Sequence, residues 1–292
     1  SLINLKSDNI KETGDHILKR KELSKTQEGI SLLANCFIEI ADFYPMNVEI
    51  LSDLFIYLQK SESPSNQLHL LKDCIVSCIH SRSELRSSVL FFLRTLFLRE
   101  AITIKSIIKE IKSIPFHPES KANYVIKWFY PEIKASYSKI IQNAQKYCYF
   151  QVPIEFETND IDSVITIMNS GYNPIEIAQI IKNDDIDTFS QIVSQCGDDF
   201  NYEQYINPTN FERCTILSQK VTLVQYASFF NSIKIFKFMF LHKVEMDPSL
   251  FEYAISGGSL EIIRLLAQRK VDLFVGIPIS IKYFQNDVLT WI

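Results

Sequence analysis

A tandem repeat near the C-terminal end constrains this chain more than any other feature. TLVQYASFFNSIKIFKFMFLHKVEM (222–246) aligns with SLFEYAISGGSLEIIRLLAQRKVDL (249–273) at a constant offset of 27 residues. Tyr226-Ala227 falls on Tyr253-Ala254, Ser232-Ile233 on Ser259-Leu260, Ile235-Phe236 on Ile262-Ile263, and Val244 on Val271. A period of that size marks a stacked array of helical pairs, each burying its apolar face only against its neighbours. Between the two helices of each copy stand Asn231 and Gly258, the residue types that tolerate left-handed backbone. Ala227 and Ala254 are small where two helices are expected to cross closely.

The motif Thr222-Leu223-Val224-Gln225-Tyr226-Ala227 resembles the Thr-Pro-Leu-His-x-Ala signature of the ankyrin repeat, with Leu for Pro and Gln for His. Two departures stand out. Lys243 and Lys270 occupy the place where ankyrin repeats carry a glycine after the second helix. The period of 27 is also shorter than the usual ~33. The missing residues are those of the β-hairpin finger, so the resemblance implies helical pairs on short turns with fingers reduced or absent. A longer stretch, from about Val48 onward, resembles the ankyrin-associated domain of unknown function expanded in certain parasitic protists. The segments that carry it are DLFIYLQ, FFLRTLF, NPTNFERC and TLVQYASFFNSI. That family has no established activity, and the resemblance implies ankyrin-type protein binding. By position it places Gln225, Ser228, Phe229, Glu252, Ile255 and Ser256 on the inner, partner-binding face. Phe229 is the candidate anchor, since aromatics dominate interface energetics. Packing against the neighbouring repeat is the competing role for it.

The expected fold class is all-α: an irregular N-terminal helical domain followed by a short ankyrin-like solenoid. With 47% hydrophobic residues the chain is not disordered, and only 7 Gly and 10 Pro in 292 residues leave room for long elements and few turns. The boundary is expected at Pro153, giving domains 1–150 and 151–292. Residues 1–25 read as a partly ordered leader. Apolar residues at helical spacing then predict helices after Thr26, after Asn47 as a cap, over Leu68–Ile79, from Ser83, from Thr103, and over 124–130 and 131–149. In the second domain a degenerate copy (174–196) has Ala178 in the place of Ala254. The clear copies are 222–246 and 249–273. A partial copy (279–292) has Ser280 in the alanine place and Asp287-Val288 near that of Glu261-Ile262, one residue out of register. An array needs a polar cap, so further repeats are expected beyond Ile292, and the natural N-terminus is left open by a start at Ser1.

No catalytic constellation emerges, and no enzyme activity, metal or cofactor is expected. Cys74 and Cys78 share a helix face near His69 and His80, but Leu71 and Ile75 lie on that face too, so small apolar filling outweighs zinc. Charge is uneven. Residues 82–146 hold twelve Lys or Arg against five Asp or Glu, and residues 151–292 hold ten against eighteen. Arg94, Arg99, Lys105, Lys109, Lys112, Lys127 and Lys134 form a candidate basic patch interleaved with Tyr124, Trp128, Phe129, Tyr130 and Tyr137. A solvated helix face with the aromatics packed inside is the plainer reading. The functional expectation is a cytoplasmic adaptor or scaffold for an unidentified protein partner. The alternative is a structural component of a cytoskeletal assembly, held by the basic half against tubulin or another acidic surface. Nucleic acid ranks third, and no membrane partner is expected.

Overall fold

A computed structural model describes residues 2–61, 63, 65–242, 244–268 and 273–292. The chain is all-α, with a single pair of two-residue strands among the described residues. It divides into two compact units: one runs to Gly171 and takes back Arg213–Thr215, and the other holds Tyr172–Glu212 and Ile216–Ile292. The division therefore falls later than Pro153. The helix at Ile161–Ser170 belongs to the first unit because it packs on the central helix there, where Arg94 Nε donates to Asn169 Oδ1 at 3.0 Å.

The first unit opens with α1 (Ile10–Lys19) and α2 (Lys21–Ser24). These residues are a packed element, more ordered than the partly ordered leader expected over 1–25. Leu5 and Ile17 are buried, α1 lies on α4 (Val48–Lys60), and the Tyr57 hydroxyl donates to Asp15 Oδ1 at 2.6 Å. Thr26 caps α3 (Gln27–Phe43), accepting from the Gly29 N–H at 3.0 Å. Asn47 does not cap α4; a 3₁₀ turn over Pro45–Asn47 feeds straight into it. The helix expected over Leu68–Ile79 is broken into a 3₁₀ turn, α5 (Leu71–Val76) and α6 (Cys78–Ser81).

At the centre is α7 (Ser87–Leu98), largely apolar and buried from Ser88 through Leu96, Arg94 included. A helix of that composition must be covered on every side, and α3, α4, α9 (Ala122–Trp128) and α13 (Ile161–Ser170) cover it. Phe37 joins the layers, stacked on Phe92 at 6.3 Å and edge-on to Phe55 at 6.0 Å. By contrast, α8 (Ile104–Lys112), capped by Thr103, has two faces: Ile107, Ile108 and Ile111 inward, Lys105, Lys109 and Lys112 outward. The remaining helices are α10 (Tyr130–Ser136), α11 (Ser138–Cys148) and α12 (Glu155–Thr158), so the helix expected over 131–149 divides at Tyr137.

The second unit is a stack of helical hairpins: α14 (Glu176–Lys182) with α15 (Ile186–Cys196), α16 (Leu223–Phe229) with α17 (Ile233–Leu241), α18 (Leu250–Ser256) with α19 (Leu260–Ala267), and α20 (Gly276–Lys282) with α21 (Asn286–Trp291). First helices pack α14–α16–α18–α20 and second helices α15–α17–α19. All four hairpins close with one turn. Its apex residue is left-handed: Asp184 (φ 52°), Asn231 (56°), Gly258 (71°) and Phe284 (51°). The following N–H then reaches back five residues, as in Asp185 to Ile180, Ser232 to Ala227, Ser259 to Ala254 and Gln285 to Ser280. This is the Schellman ending, which satisfies the orphan carbonyls of the first helix.

The turn fixes the register. Ile180, not Ala178, takes the place of Ala227 and Ala254, and Asp185 matches Ser259. Ser280 and Asp287-Val288 are in register with each other. The strands β1 (Tyr205–Ile206) and β2 (Val221–Thr222) pair antiparallel ahead of α16, with Tyr205 opposite Thr222. That pair lies in the connection from α15 to α16; among the described residues no strand stands between α17 and α18 or between α19 and α20. Lys243, Lys270 and Val271 lie outside the described residues.

Candidate interaction surfaces

The first helices of the stack were the expected binding face, and the structure divides their candidate residues into two groups. Ser228 and Ile255 are fully buried and Phe229 is 6% exposed. Ser228 spends its hydroxyl on the Val224 carbonyl at 2.7 Å. The cause is close approach of α16 and α18: a Cβ added at Gly257 would lie 2.0 Å from the Phe229 carbonyl oxygen. These three residues are stack interior and are corrected from partner contacts to core. Gln225, Glu252 and Ser256 remain half-buried at the surface. Gln225 is already committed to structure. Its Oε1 accepts from the Thr222 N–H at 2.8 Å, completing a capping box, and its Nε2 donates to Ser249 Oγ at 2.9 Å.

A partly exposed aromatic at the C-terminal end of α16 is Phe230, half-buried beside Tyr226 (4.7 Å), Phe229 (5.1 Å) and Tyr172 (5.9 Å). Lys182 Nζ lies 4.5 Å from the Tyr172 ring centroid. Phe229 and Phe230 are adjacent in sequence, and the helix ends at Phe229. Periodicity therefore could not say which ring turns inward. Fixing the turn at Asn231 could have placed Phe230 at the C-cap, half outside the helix.

The basic patch separates in the same way. Arg94 is 1% exposed at the centre of the first unit. Its guanidinium donates to the Trp128 carbonyl at 2.9 Å and to both Glu132 oxygens at 3.3 Å. A buried cation is tolerable only with such compensation. Arg99 is half-buried, pairs with Asp53 and donates to the Glu49 carbonyl. Lys127 is half-buried, and burial lowers its ammonium pKa against the opposing pull of Glu155. Trp128, Phe129 and Tyr130 are core, whereas Tyr124 is exposed. What is left of the patch is Lys134 and the outward ridge of α8, Lys105, Lys109 and Lys112, one helical turn apart in succession. Glu110 on the same helix turns inward and pairs with His80.

Cys78 is buried, its thiol pushed up to about 12 mainly by burial, while Cys74 is half-buried. Among the described residues no three metal-ligating side chains come together. Likewise no described helix is long and apolar enough to cross a membrane. One side chain carries more than its sequence context suggested. Arg213, in NPTNFERC, is buried, donates to Glu49 Oε1 at 2.5 Å, and has its guanidinium 4.9 Å from the Phe91 ring centroid. Its own N–H donates to the Gly171 carbonyl at 2.9 Å, tying residues 213–215 to the first unit. Comparison with protein-family models, curated proteins and solved structures finds no match for this chain.

Proposed function

We propose that the chain is a non-enzymatic protein–protein interaction module of the ankyrin type, an adaptor or scaffold in the cytoplasm. The observation that supports this reading is the hairpin stack. Four successive hairpins share one turn geometry, and such arrays present a row of first-helix side chains to a partner. The partner-facing residues are then Gln225, Glu252 and Ser256 with Phe230 and Tyr172 as aromatic anchors, in place of Phe229. A tight interface needs a few aromatic or charged anchors in a desolvated centre, and Phe230 has that character.

A second reading rests on the α8 ridge. Lys105, Lys109 and Lys112 present three cations on one exposed face, suited to an acidic protein surface such as a cytoskeletal filament. Capture of the tagged chain from lysate of its source cell tests both. It is run at low and high salt, with and without nuclease, on wild type, Phe230→Ala/Glu252→Lys and Lys105→Glu/Lys109→Glu/Lys112→Glu. The first reading expects a protein retained at high salt and lost only with the Phe230/Glu252 variant. Loss at high salt and with the lysine variant supports the second. Loss on nuclease treatment overturns both in favour of nucleic acid, whose phosphate contacts fall steeply with salt.

A further inference from the structure

Arg213 reaches two surface residues from a buried position. Its side chain is 3% exposed, and Nη1 donates to a Glu49 carboxylate that is 46% exposed. The other terminal nitrogen, Nη2, donates to the thioether sulfur of Met46 at 3.7 Å. A thioether is a weak acceptor for a charged donor. Met46 stands in the 3₁₀ turn over Pro45–Asn47 and is 45% exposed. A solvent-accessible sulfur and a buried cation therefore meet at one place.

The four methionines of the chain differ in access. Met168 in α13 and Met239 in α17 are fully buried, Met246 is half-buried, and Met46 is open to solvent. Arg213 also carries backbone with it. Its N–H donates to the Gly171 carbonyl at 2.9 Å, and a Cβ added at Gly171 would lie 2.9 Å from Arg213 Cβ. Two residues on, Thr215 Oγ1 lies 3.3 Å from Ser88 Oγ on α7. Whatever strengthens the hold on the guanidinium strengthens the hold on this returning segment.

We infer that Met46 is a reversible oxidation site whose sulfoxide tightens the first unit's grip on residues 213–215. Hydrogen peroxide transfers one oxygen atom: its O–O bond breaks, an S–O bond forms on Sδ, the thioether is oxidised by two electrons, and water leaves. Reduction by a dithiol, which becomes a disulfide as water leaves, restores the thioether. The sulfoxide oxygen is a stronger acceptor than the thioether, and its donor here is a guanidinium. A weak contact becomes a charge-assisted hydrogen bond. Oxidising a core methionine sets a polar group among apolar ones and disrupts packing. At Met46 the new oxygen meets a cation, so the sign reverses, and the exposed side chain has room to draw back as the group lengthens. The inference does not rest on the partner proposed above, since it uses neither the Phe230 face nor the α8 ridge.

Graded peroxide treatment of the full chain tests it, in a Cys196→Ser background because that thiol is exposed. Peptide mass spectrometry should find one added oxygen on Met46 before any on Met168 or Met239. Hydrogen exchange over 211–216 should slow about threefold or more once Met46 is oxidised. Met46→Leu should show no such slowing on the same treatment. Met46→Gln, whose amide oxygen is a standing acceptor, should exchange slowly there without peroxide. Exchange over 211–216 that is unchanged or faster after oxidation overturns the inference. So does oxidation of Met168 or Met239 ahead of Met46, the same slowing in Met46→Leu, or a Met46→Gln chain that exchanges like the untreated parent.

Discussion

The two units solve the same packing problem by different means. The first is organised around one helix, α7, covered on all sides by helices of unequal length. Its order is global, and it accommodates two buried arginines, Arg94 and Arg213, each matched to a carboxylate. The second has no central element. Each hairpin leans on its neighbours, and its order is local: one turn, one register, and small or apolar residues at the crossings. Non-local order tolerates irregular sequence but concentrates the consequences of a single change. Repeated local order spreads them.

Removing a central charge tests the first half of that contrast most severely. Arg94→Met should cost about 3 kcal/mol, because it leaves the buried Trp128 carbonyl without its donor and the partly exposed Glu132 carboxylate without its cation. Denaturant unfolding would measure it, and a loss near zero would return Arg94 to the surface. In the stack, Phe229→Ala should cost about 3 kcal/mol through the cavity it leaves, while the partner capture proposed for Phe230 should persist.

Turn substitutions cut across both units and act more weakly. Asn231→Gly keeps the turn but gives up the bond from the Ser259 hydroxyl and should lose about 1 kcal/mol, and Asn231→Val should lose about 2 kcal/mol, since a β-branched residue also resists left-handed backbone. The same ending closes α7, where Glu100 has φ 59° and the Ala101 N–H reaches the Leu96 carbonyl. Glu100→Gly should therefore stabilise the first unit by up to about 1 kcal/mol. A thermal melt in which Asn231→Val matches wild type would sever the link between turn and stack.

Protonation separates the units by sign. Burial raises the pKa of Asp42 in the first unit, against the hydrogen bond from Ser88 and the pull of Arg86. The folded state holds that proton more tightly. Its contribution is therefore fully present below the unfolded carboxyl pKa and is lost as pH rises through the folded value. Asp185, the N-cap of α15, is lowered chiefly by the Thr188 hydroxyl. Its contribution is present above the unfolded value and is lost as pH falls through the folded one. Between pH 6 and 3, Asp42→Asn should remove a stabilising trend on acidification, and Asp185→Asn a destabilising one. Equal slopes for both variants and wild type, from melts at each pH, would contradict this small but opposite pair.

Much of the stack was legible because its signals are local. Asn231 and Gly258 announced left-handed turns, and both stand at the apex with positive φ. The all-α class followed from few glycines and helical spacing throughout. The degenerate copy misled because Ala178 is as well buried as the repeat alanines, although the turn at Asp184 places Ile180 in their register. Surface exposure was the least legible property. Arg94 sits in an apolar run, and only tertiary cover from α9 and α13 decides that it is interior. Phe229 and Phe230 differ by one residue and end on different sides of the stack surface. Arg213 lies in a connection with no periodicity, so nothing in its neighbourhood foretold a burial site far along the chain.

Hydrogen exchange of the native chain, resolved by peptide, tests the contrast most directly. Nearest-neighbour stability predicts graded protection along the hairpins, with α16–α19 higher than α14–α15 and α20–α21. The first unit should instead exchange as one cooperative block with α7 the slowest. Uniform protection across all four hairpins, or a first unit that opens helix by helix, would contradict the account.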